Sequence, residues 1–226
     1  MSDHILDRPI WNALASRHAP FATGTARAMR YPYDVSPFVA AEDDSKENLA
    51  ELVGLLPETG PAVLLQAKPS PLPEDRVVVS EAGGVQMVAT RLKPAPALEG
   101  VIELGDADAP EMLELATMTK PGPFLARTHR LGGFVGIREG GRLVAMAGRR
   151  LHLDGYCEVS AVCTHPDHRG RGHAGLLTLI VANRIADEGE TPFLHTYADN
   201  AAAIRLYEQL GFSLRSGMTV QIVERA

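Results

Sequence analysis

The chain contains 226 residues, of which 45% are hydrophobic and 22% are charged, and these values are normal for a soluble globular protein. No apolar run approaches the roughly 20 residues that a membrane-spanning helix requires, and the start of the chain, MSDHILDRPIW, lacks the apolar core of a secretory signal. The net charge of −6 argues against a nucleic-acid partner. We therefore expect a cytoplasmic protein with no membrane contact.

In the first part of the chain, helix and strand patterns alternate without a glycine-rich turn. Apolar spacing and β-branched runs predict helices over residues 5–17 and 46–56 and strands over residues 23–33, 62–67, 77–80 and 85–90. The proline-rich residues 68–76 are predicted to be a connection, and LKPAPALEG (92–100) an inter-domain linker. We thus predict an N-terminal α/β domain over residues 1–98 and a second domain over residues 99–226.

The second part has a continuous pattern of strands and helices. Strands are predicted over residues 101–104, 134–139 and 142–153, then from Tyr156, over residues 192–197, and as a final hairpin of residues 212–215 and 218–223. Helices are predicted over residues 110–119, 124–131, 174–189 and 201–210. Gly140-Gly141 and Asp154-Gly155 are typical of hairpin turns. The fold class is therefore α/β, in finer terms α+β.

The strand that begins at Tyr156 leads into a polar turn containing Gly170 and Gly172, and a helix follows. A strand, turn and helix in this order leave unpaired backbone N–H groups and the positive end of the helix dipole facing a ligand anion. Arg169 and Arg171 add positive charge to the turn. This pattern predicts a binding site for a phosphorylated ligand.

Three segments carry a family resemblance. Arg169-Gly170-Arg171-Gly172-His173-Ala174 resembles the Arg/Gln-x-x-Gly-x-Gly/Ala signature of the GCN5-related N-acetyltransferases, and Val162-Cys163-Thr164 resembles the end of their central splayed strand. The later Asn200-x-x-Ala203-x-x-x-Tyr207-x-x-x-Gly211-Phe212 is similar to their second cofactor motif. The arrangement most resembles the FR47-like branch, over about residues 99–226. It implies a mixed central sheet flanked by helices.

The resemblance also implies acetyl-CoA as cosubstrate. The residues that would bind it are Val162, Cys163, Thr164, Arg169, Gly170, Arg171, Gly172, His173, Ala174 and Asn200. The strand residues would pair with the pantetheine arm through their backbone, and the loop amides would donate to the pyrophosphate. Asn200 could equally cap the helix that follows it. Tyr207 matches the residue that protonates the departing thiolate, although a tyrosine on a helix is often a core residue.

Glu158 is the candidate general base, because it lies eleven residues before Arg169, the spacing found in the histone-acetylating relatives. Burial of a carboxylate is costly unless it is paired or functional, and burial that raises its pKa would suit proton abstraction. The alternative is an ion pair with Arg149, Arg150 or another neighbour. Both alternatives stay open at this point.

Two further clusters of residues have simpler interpretations. His165, His168 and His173 have irregular spacing and no evident partner ligands, so we predict no metal. Cys157 and Cys163 lie on one strand about 20 Å apart by strand rise, beyond the reach of a disulfide. We therefore expect reduced core thiols, and nothing in the sequence supplies an activating partner for a covalent cysteine intermediate.

The first 98 residues contain no cofactor motif. The resemblance suggests a degenerate copy of the same fold or an α/β half-domain that helps to wall the substrate site, and the alternative is a packing extension without a direct role.

Direct transfer to a primary amine in a ternary complex is the implied reaction, most simply with a small-molecule amine. A non-catalytic CoA-binding sensor or scaffold, and an acetyltransferase of protein N-termini or lysines, are the other candidates. The sequence does not distinguish a monomer from a homodimer.

Overall fold

The structure, a computed structural model, describes residues 4–73, 75, 77–95 and 99–226. Residues 74 and 76 of the predicted connection and residues 96–98 of the predicted linker lie outside this set. The helices are α1 (Pro9–Leu14), α2 (Lys46–Leu55), α3 (Ala109–Thr119), α4 (His173–Asp187) and α5 (Ala201–Leu210). Within the described ranges, no helix is long and apolar enough to cross a membrane.

Eleven strands form two sheets in the described residues. They are β1 (Thr23–Gly24), β2 (Ala28–Arg30), β3 (Val39–Ala41), β4 (Ala62–Gln66), β5 (Val77–Ala89), β6 (Val101–Leu104), β7 (Phe134–Glu139), β8 (Arg142–Leu153), β9 (Tyr156–Thr164), β10 (Thr191–Tyr197) and β11 (Phe212–Arg225). The first three form a small antiparallel sheet. The other eight form one sheet in the order β4-β11-β5-β10-β9-β8-β7-β6, in which β9 and β10 run parallel and the other neighbours antiparallel. The predicted mixed sheet is confirmed.

Strands from the two ends of the chain alternate within this sheet. β5, from the first part, pairs with β10 on one side and with β11 on the other. Its buried Met87 belongs to the same core cluster as Leu177 and Ile180 of α4. On the other face of the sheet, Ile10 of α1 packs in a cluster with Phe193 of β10. The division at residues 98 and 99 stays a prediction, and the hydrogen-bonded sheet and both clusters run across it.

Five predictions for individual elements differ from the observed structure. The strand predicted over residues 23–33 is divided into the short strands β1 and β2, which pair with each other. The two strands predicted over residues 77–80 and 85–90 form one continuous strand, β5, which ends at Ala89 and pairs with β11 along its whole length. The predicted final hairpin is wrong: β11 is a single strand of 14 residues with an irregularity between Leu214 and Ser216, and β4 and β5 supply its partners on both sides. Pro9 begins a new helix after a 3-10 turn at Ile5–Asp7, so the predicted helix over residues 5–17 is shorter. In the region predicted as helix 124–131, a 3-10 turn forms at Thr128–Leu131.

Candidate active site

The site begins where β9 and β10 separate. They pair only between Thr191–Phe193 and Tyr156–Glu158. On its other edge β9 stays paired with β8, with register shifts, and Ala161 in its middle has a φ of 53°, a conformation that non-glycine residues adopt rarely. From Val159 onward, the β10-facing edge of β9 therefore has no strand partner among the described residues. This is the predicted splayed strand, with backbone groups free to pair with an extended ligand.

The turn before α4 contains several backbone N–H groups that have no acceptor among the described residues. The amides of residues 170–175 donate to no acceptor within the described ranges. Gly170 and Gly172 have φ values of 77° and 81°, which a side chain would strain, and a Cβ built on either residue would meet no atom within 4 Å. Successive amides at the start of a 15-residue helix form a concave anion site to which the helix dipole contributes.

A cavity of about 680 Å³ lies against this loop. The predicted cofactor-binding residues all line it: Val162, Cys163, Thr164, Arg169, Gly170, Arg171, Gly172, His173, Ala174 and Asn200. In addition, Thr164 Oγ1 is buried without a hydrogen-bond partner in the described part of the chain. A buried hydroxyl without a partner is costly, so this atom fits a ligand that hydrogen-bonds there. The free amides, the unpaired strand edge and this hydroxyl all fit acetyl-CoA.

Glu139, at the end of β7, was not among the residues selected from the sequence. Its carboxylate contacts Arg171 Nη1 at 2.7 Å, His168 Nδ1 at 3.0 Å and His173 Nε2 at 3.2 Å. Two of the three loop histidines thus gather around a carboxylate. No local pattern pointed to Glu139, because it is a hairpin residue that only the strand order places beside the loop.

A separate group with spacing suitable for metal ligands lies elsewhere, at His152, Cys157 and Glu190. His152 Nε2 and Glu190 Oε1 are 2.7 Å apart, which is a hydrogen-bond distance. Burial raises the pKa of the Cys157 thiol to about 12. These contacts describe a hydrogen-bonded pair beside a protonated thiol.

A second cavity, of about 290 Å³, adjoins the first. Both are lined by Lys120, Pro121, Val162, Ala174, Asn200, Ala203 and Leu206. Phe38, Val63 and Leu65 of the first part of the chain line the second cavity, together with residues 120–123 and residues of β9 and β10. Residues from the first 98 positions therefore form part of its wall; that this wall bounds the substrate site, one of the alternatives above, stays a prediction.

Tyr207 lies at the second cavity on α5 and is 8% exposed. Its hydroxyl has no hydrogen-bond partner among the residues that the structure describes. Desolvation by burial raises its pKa to about 12, so the phenol keeps its proton at neutral pH. Phe212 packs edge-on against it, with ring centroids 6.2 Å apart. Asn200 is the N-cap residue of the same helix. Its side-chain Oδ1 accepts a hydrogen bond from the Ala203 amide at 3.1 Å.

Glu158 forms a buried ion pair. Its carboxylate accepts from Arg150 Nε at 2.8 Å and Nη2 at 2.6 Å, from His195 Nδ1 at 2.7 Å and from the Leu151 amide at 3.3 Å. Glu158 is 0% exposed. Burial opposes ionisation, but Arg150 and His195 outweigh it and lower the pKa of Glu158 from 4.5 to about 2. The net pKa is therefore lowered, not raised as the general-base alternative would require, and the geometry supports the ion-pair alternative.

His195, which the sequence analysis missed, connects this pair to the first part of the chain. The amide oxygen of Gln86 accepts from Arg215 at 2.8 Å, so its Nε2 donates to Leu6 O at 3.0 Å and to His195 Nε2 at 2.9 Å. Because His195 Nε2 accepts, Nδ1 carries the proton that is donated to Glu158. No sequence pattern marked His195, since its two partners, Glu158 and Gln86, lie on other strands, β9 and β5.

Neither cysteine is arranged as a nucleophile. Both thiols are free and buried, as expected from the sequence. Cys163 lines the larger cavity, but burial raises the pKa of its thiol to about 11. A protonated thiol is a weak nucleophile.

Comparison with known proteins places this geometry in context. Residues 134–220 match a protein family described as FR47-like protein. A solved structure from Novosphingobium aromaticivorans, described as an acetyltransferase from the GNAT family, is 39% identical; the alignment covers 99% of this chain and 100% of that chain, with a TM-score of 0.92. A GCN5-related N-acetyltransferase from Kribbella flavida shares the fold at 18% identity, with 97% and 94% of the two chains covered and a TM-score of 0.62.

Curated relatives match over a shorter stretch. The mycothiol acetyltransferase of Mycobacteroides abscessus is 41% identical over 76 residues, which make up 32% of this chain and 26% of that protein. The mycothiol acetyltransferase of Mycobacterium marinum is 35% identical over 105 residues, 42% of this chain and 33% of that protein. The matched stretch spans about a third or less of these relatives.

Proposed function

The chain belongs to the GCN5-related N-acetyltransferase family of acyltransferases, and we propose that it transfers the acetyl group of acetyl-CoA directly to the primary amine of a small molecule. The observation that carries the proposal is the junction of the two cavities. The larger cavity carries the anion-binding loop and the free edge of β9, and the smaller one carries a protonated tyrosine.

In this proposal, the ten predicted cofactor-binding residues hold acetyl-CoA. The free amides of residues 170–175 donate to its pyrophosphate, and Arg169 and Arg171 add charge. The backbone of Val162 to Thr164 pairs with the pantetheine arm as an added strand would. When bound, acetyl-CoA supplies the activated acetyl group.

Tyr207 is the proposed acid. The nitrogen of the amine forms a bond to the acetyl carbonyl carbon, the C–S bond breaks, and the departing thiolate takes the proton of Tyr207. The proton lost by the amine returns through water to the phenolate, so the enzyme ends in its starting state. Tyr207, with a pKa of about 12, is protonated at neutral pH, as this role requires.

The residues that line the smaller cavity indicate how the amine loses its proton. No aspartate or glutamate is among its described lining residues, and both oxygens of Glu158 are occupied. We therefore propose that the amine reacts as its free base, formed in water, and that Glu158 holds Arg150 and His195 in place. Direct attack needs no cysteine, in agreement with the raised pKa of Cys163.

A small-molecule acceptor is supported by the shape of the wall. Phe38, Val63 and Leu65 close the smaller cavity on one side, which leaves about 290 Å³. Peptide-modifying enzymes need an open groove, and the volume here is at the lower end of the range for small-ligand pockets. The curated relatives are named for acetylation of mycothiol, but the short match does not carry their acceptor over to this chain.

Calorimetric titration of the wild type with acetyl-CoA tests the proposal, with Gly172→Glu as the variant. The added carboxylate strains a left-handed position and repels the pyrophosphate, so binding should be lost. Gly189→Glu is the matched control, because Gly189 also has a positive φ (83°), open space around it, and a place at the other end of α4. A folded wild type that binds neither acetyl-CoA nor CoA would overturn the proposal.

The second candidate is a CoA-binding sensor or scaffold without turnover. It predicts that acetyl-CoA binds and that no amine from a broad panel releases CoA thiol above the rate of hydrolysis. The free, protonated hydroxyl of Tyr207 at the smaller cavity favours the enzyme.

A further inference from the structure

Arg150 has one amino group that Glu158 does not use. Its Nε and Nη2 donate to the two oxygens of Glu158, and in the described residues Nη1 has no hydrogen-bond partner. Nη1 lies 3.6 Å from the place where a side chain on Gly122 would begin. Arg150 and Gly122 both line the smaller cavity, and the glycine leaves the space beside Nη1 open.

This donor is held rigidly before any ligand arrives. The side chain of Arg150 is 10% exposed, the two bonds to Glu158 form a planar fork, and the Phe38 ring lies 5.0 Å from the guanidinium carbon. An arginine fixed in this way has little side-chain entropy left to lose when it binds a further oxygen. Its remaining N–H groups suit a planar acceptor such as a carboxylate.

The other surfaces of the cavity are mainly apolar. Phe38, Val63, Leu65, Val220 and Ile222 form much of the wall, and His195 has both ring nitrogens occupied by Glu158 and Gln86. Lys120, the other cationic residue among the described lining residues, lies at the junction with the larger cavity. Arg150 is therefore the charged donor inside the apolar part of the cavity.

We infer that the acceptor is an amino acid with an apolar side chain. Its carboxylate accepts from Arg150 Nη1, its side chain packs on the apolar wall, and its amine faces the junction where the acetyl group is delivered. This inference rests on the proposed function, of which it names the acceptor class. Arg150 is then a specificity-determining residue, and Glu158 positions it.

Matched acceptors test the role of the carboxylate. Leucine is compared with 3-methylbutylamine, and phenylalanine with 2-phenylethylamine, by following CoA thiol release at equal concentrations of free amine. A charge-assisted hydrogen bond in a preorganised site predicts a kcat/KM about 10- to 100-fold higher for each amino acid than for its decarboxylated partner.

The variants separate recognition from folding. Arg150→Lys keeps a positive charge beside Glu158 and removes Nη1. The double variant Arg150→Met with Glu158→Gln removes both charges, so that no buried charge is left unpaired. In each, the preference for the carboxylate should fall to about twofold or less, and acetyl-CoA affinity should stay within about twofold. Arg149→Lys is the control, since the neighbouring Arg149 pairs with Glu188 and does not line the cavity.

Direct binding keeps this inference distinct from the transfer reaction. Calorimetry with N-acetyl-leucine and with N-(3-methylbutyl)acetamide requires no acetyl-CoA, and only the carboxylate-bearing compound should bind well to the wild type. Equal binding of the two compounds, equal use of the two members of each acceptor pair, or a preference that survives both Arg150 variants would overturn the inference. A wild type that binds N-acetyl-leucine but not acetyl-CoA would instead overturn the proposed function.

Discussion

Replacement of Glu158 by glutamine tests whether this residue is an ion-pair partner or a catalytic base. The change keeps the shape of the side chain and removes its charge, which leaves the guanidinium of Arg150 buried beside a neutral amide. The depression of the Glu158 pKa from 4.5 to about 2 corresponds to about 3 kcal/mol of folding stability at neutral pH. Loss of one partner of a buried pair typically costs a similar amount. We expect the free energy of unfolding to fall by about 3 kcal/mol at pH 7.

The pH dependence has a definite sign. The pKa of Glu158 is lower in the folded protein than in the unfolded chain, so its stabilising contribution is complete above pH 4.5 and is lost as the pH falls from 4.5 towards 2. The wild type should therefore lose stability in this window more steeply than Glu158→Gln. Urea unfolding at several pH values between 7 and 3, followed by the fluorescence of the single tryptophan, Trp11, measures both curves.

Two further variants sharpen the measurement. The Arg150→Met and Glu158→Gln double variant should be more stable than Glu158→Gln alone, because the unpaired charge is gone. Glu188→Gln breaks the Arg149 pair, in which the Glu188 side chain is 51% exposed, and should cost less than about 1 kcal/mol. A Glu158→Gln variant as stable as the wild type, with kcat lower by 100-fold or more, would contradict the ion-pair role, since that is the behaviour of a catalytic base.

Two other predictions concern the reaction itself. Tyr207→Phe should lower kcat by about 100-fold and leave acetyl-CoA affinity unchanged in calorimetry, with Tyr33→Phe, whose hydroxyl bonds to Pro61 O, as the control; an unchanged kcat would show that Tyr207 is only a packing residue. Because no described carboxylate lines the smaller cavity, kcat/KM should rise with pH along the titration of the amine. Two acceptors of different amine pKa should therefore give different midpoints, and a midpoint common to both would reveal a base on the protein.

Much of the proposed cofactor site could be predicted from the sequence, because the features that form it are local. Gly170 and Gly172 lie within a few residues of the helix whose amides they expose, and Asn200 and Tyr207 lie on one short helix. The need for glycine at a turn and the spacing of residues along a helix both involve residues close together in the chain, so both can be recognised in the sequence. The position of Glu139 could not be predicted in this way, since its contacts with His168 and Arg171 join segments about thirty residues apart.

The surroundings of the smaller cavity, the proposed acceptor site, depend on the tertiary structure. The free energy that places β5 between β10 and β11 comes from hydrogen bonds and burial between segments more than 100 residues apart, and no local pattern encodes which strands become neighbours. That arrangement brings Phe38 under Arg150 and Gln86 against His195. It also explains why Glu158 carries a lowered pKa: its charge is stabilised by Arg150 of β8 and His195 of β10, and the direction of the shift depends on those partners. The anion loop and the family resemblance could thus be recognised from local sequence alone, whereas the residues around the smaller cavity are brought together only when the sheet assembles.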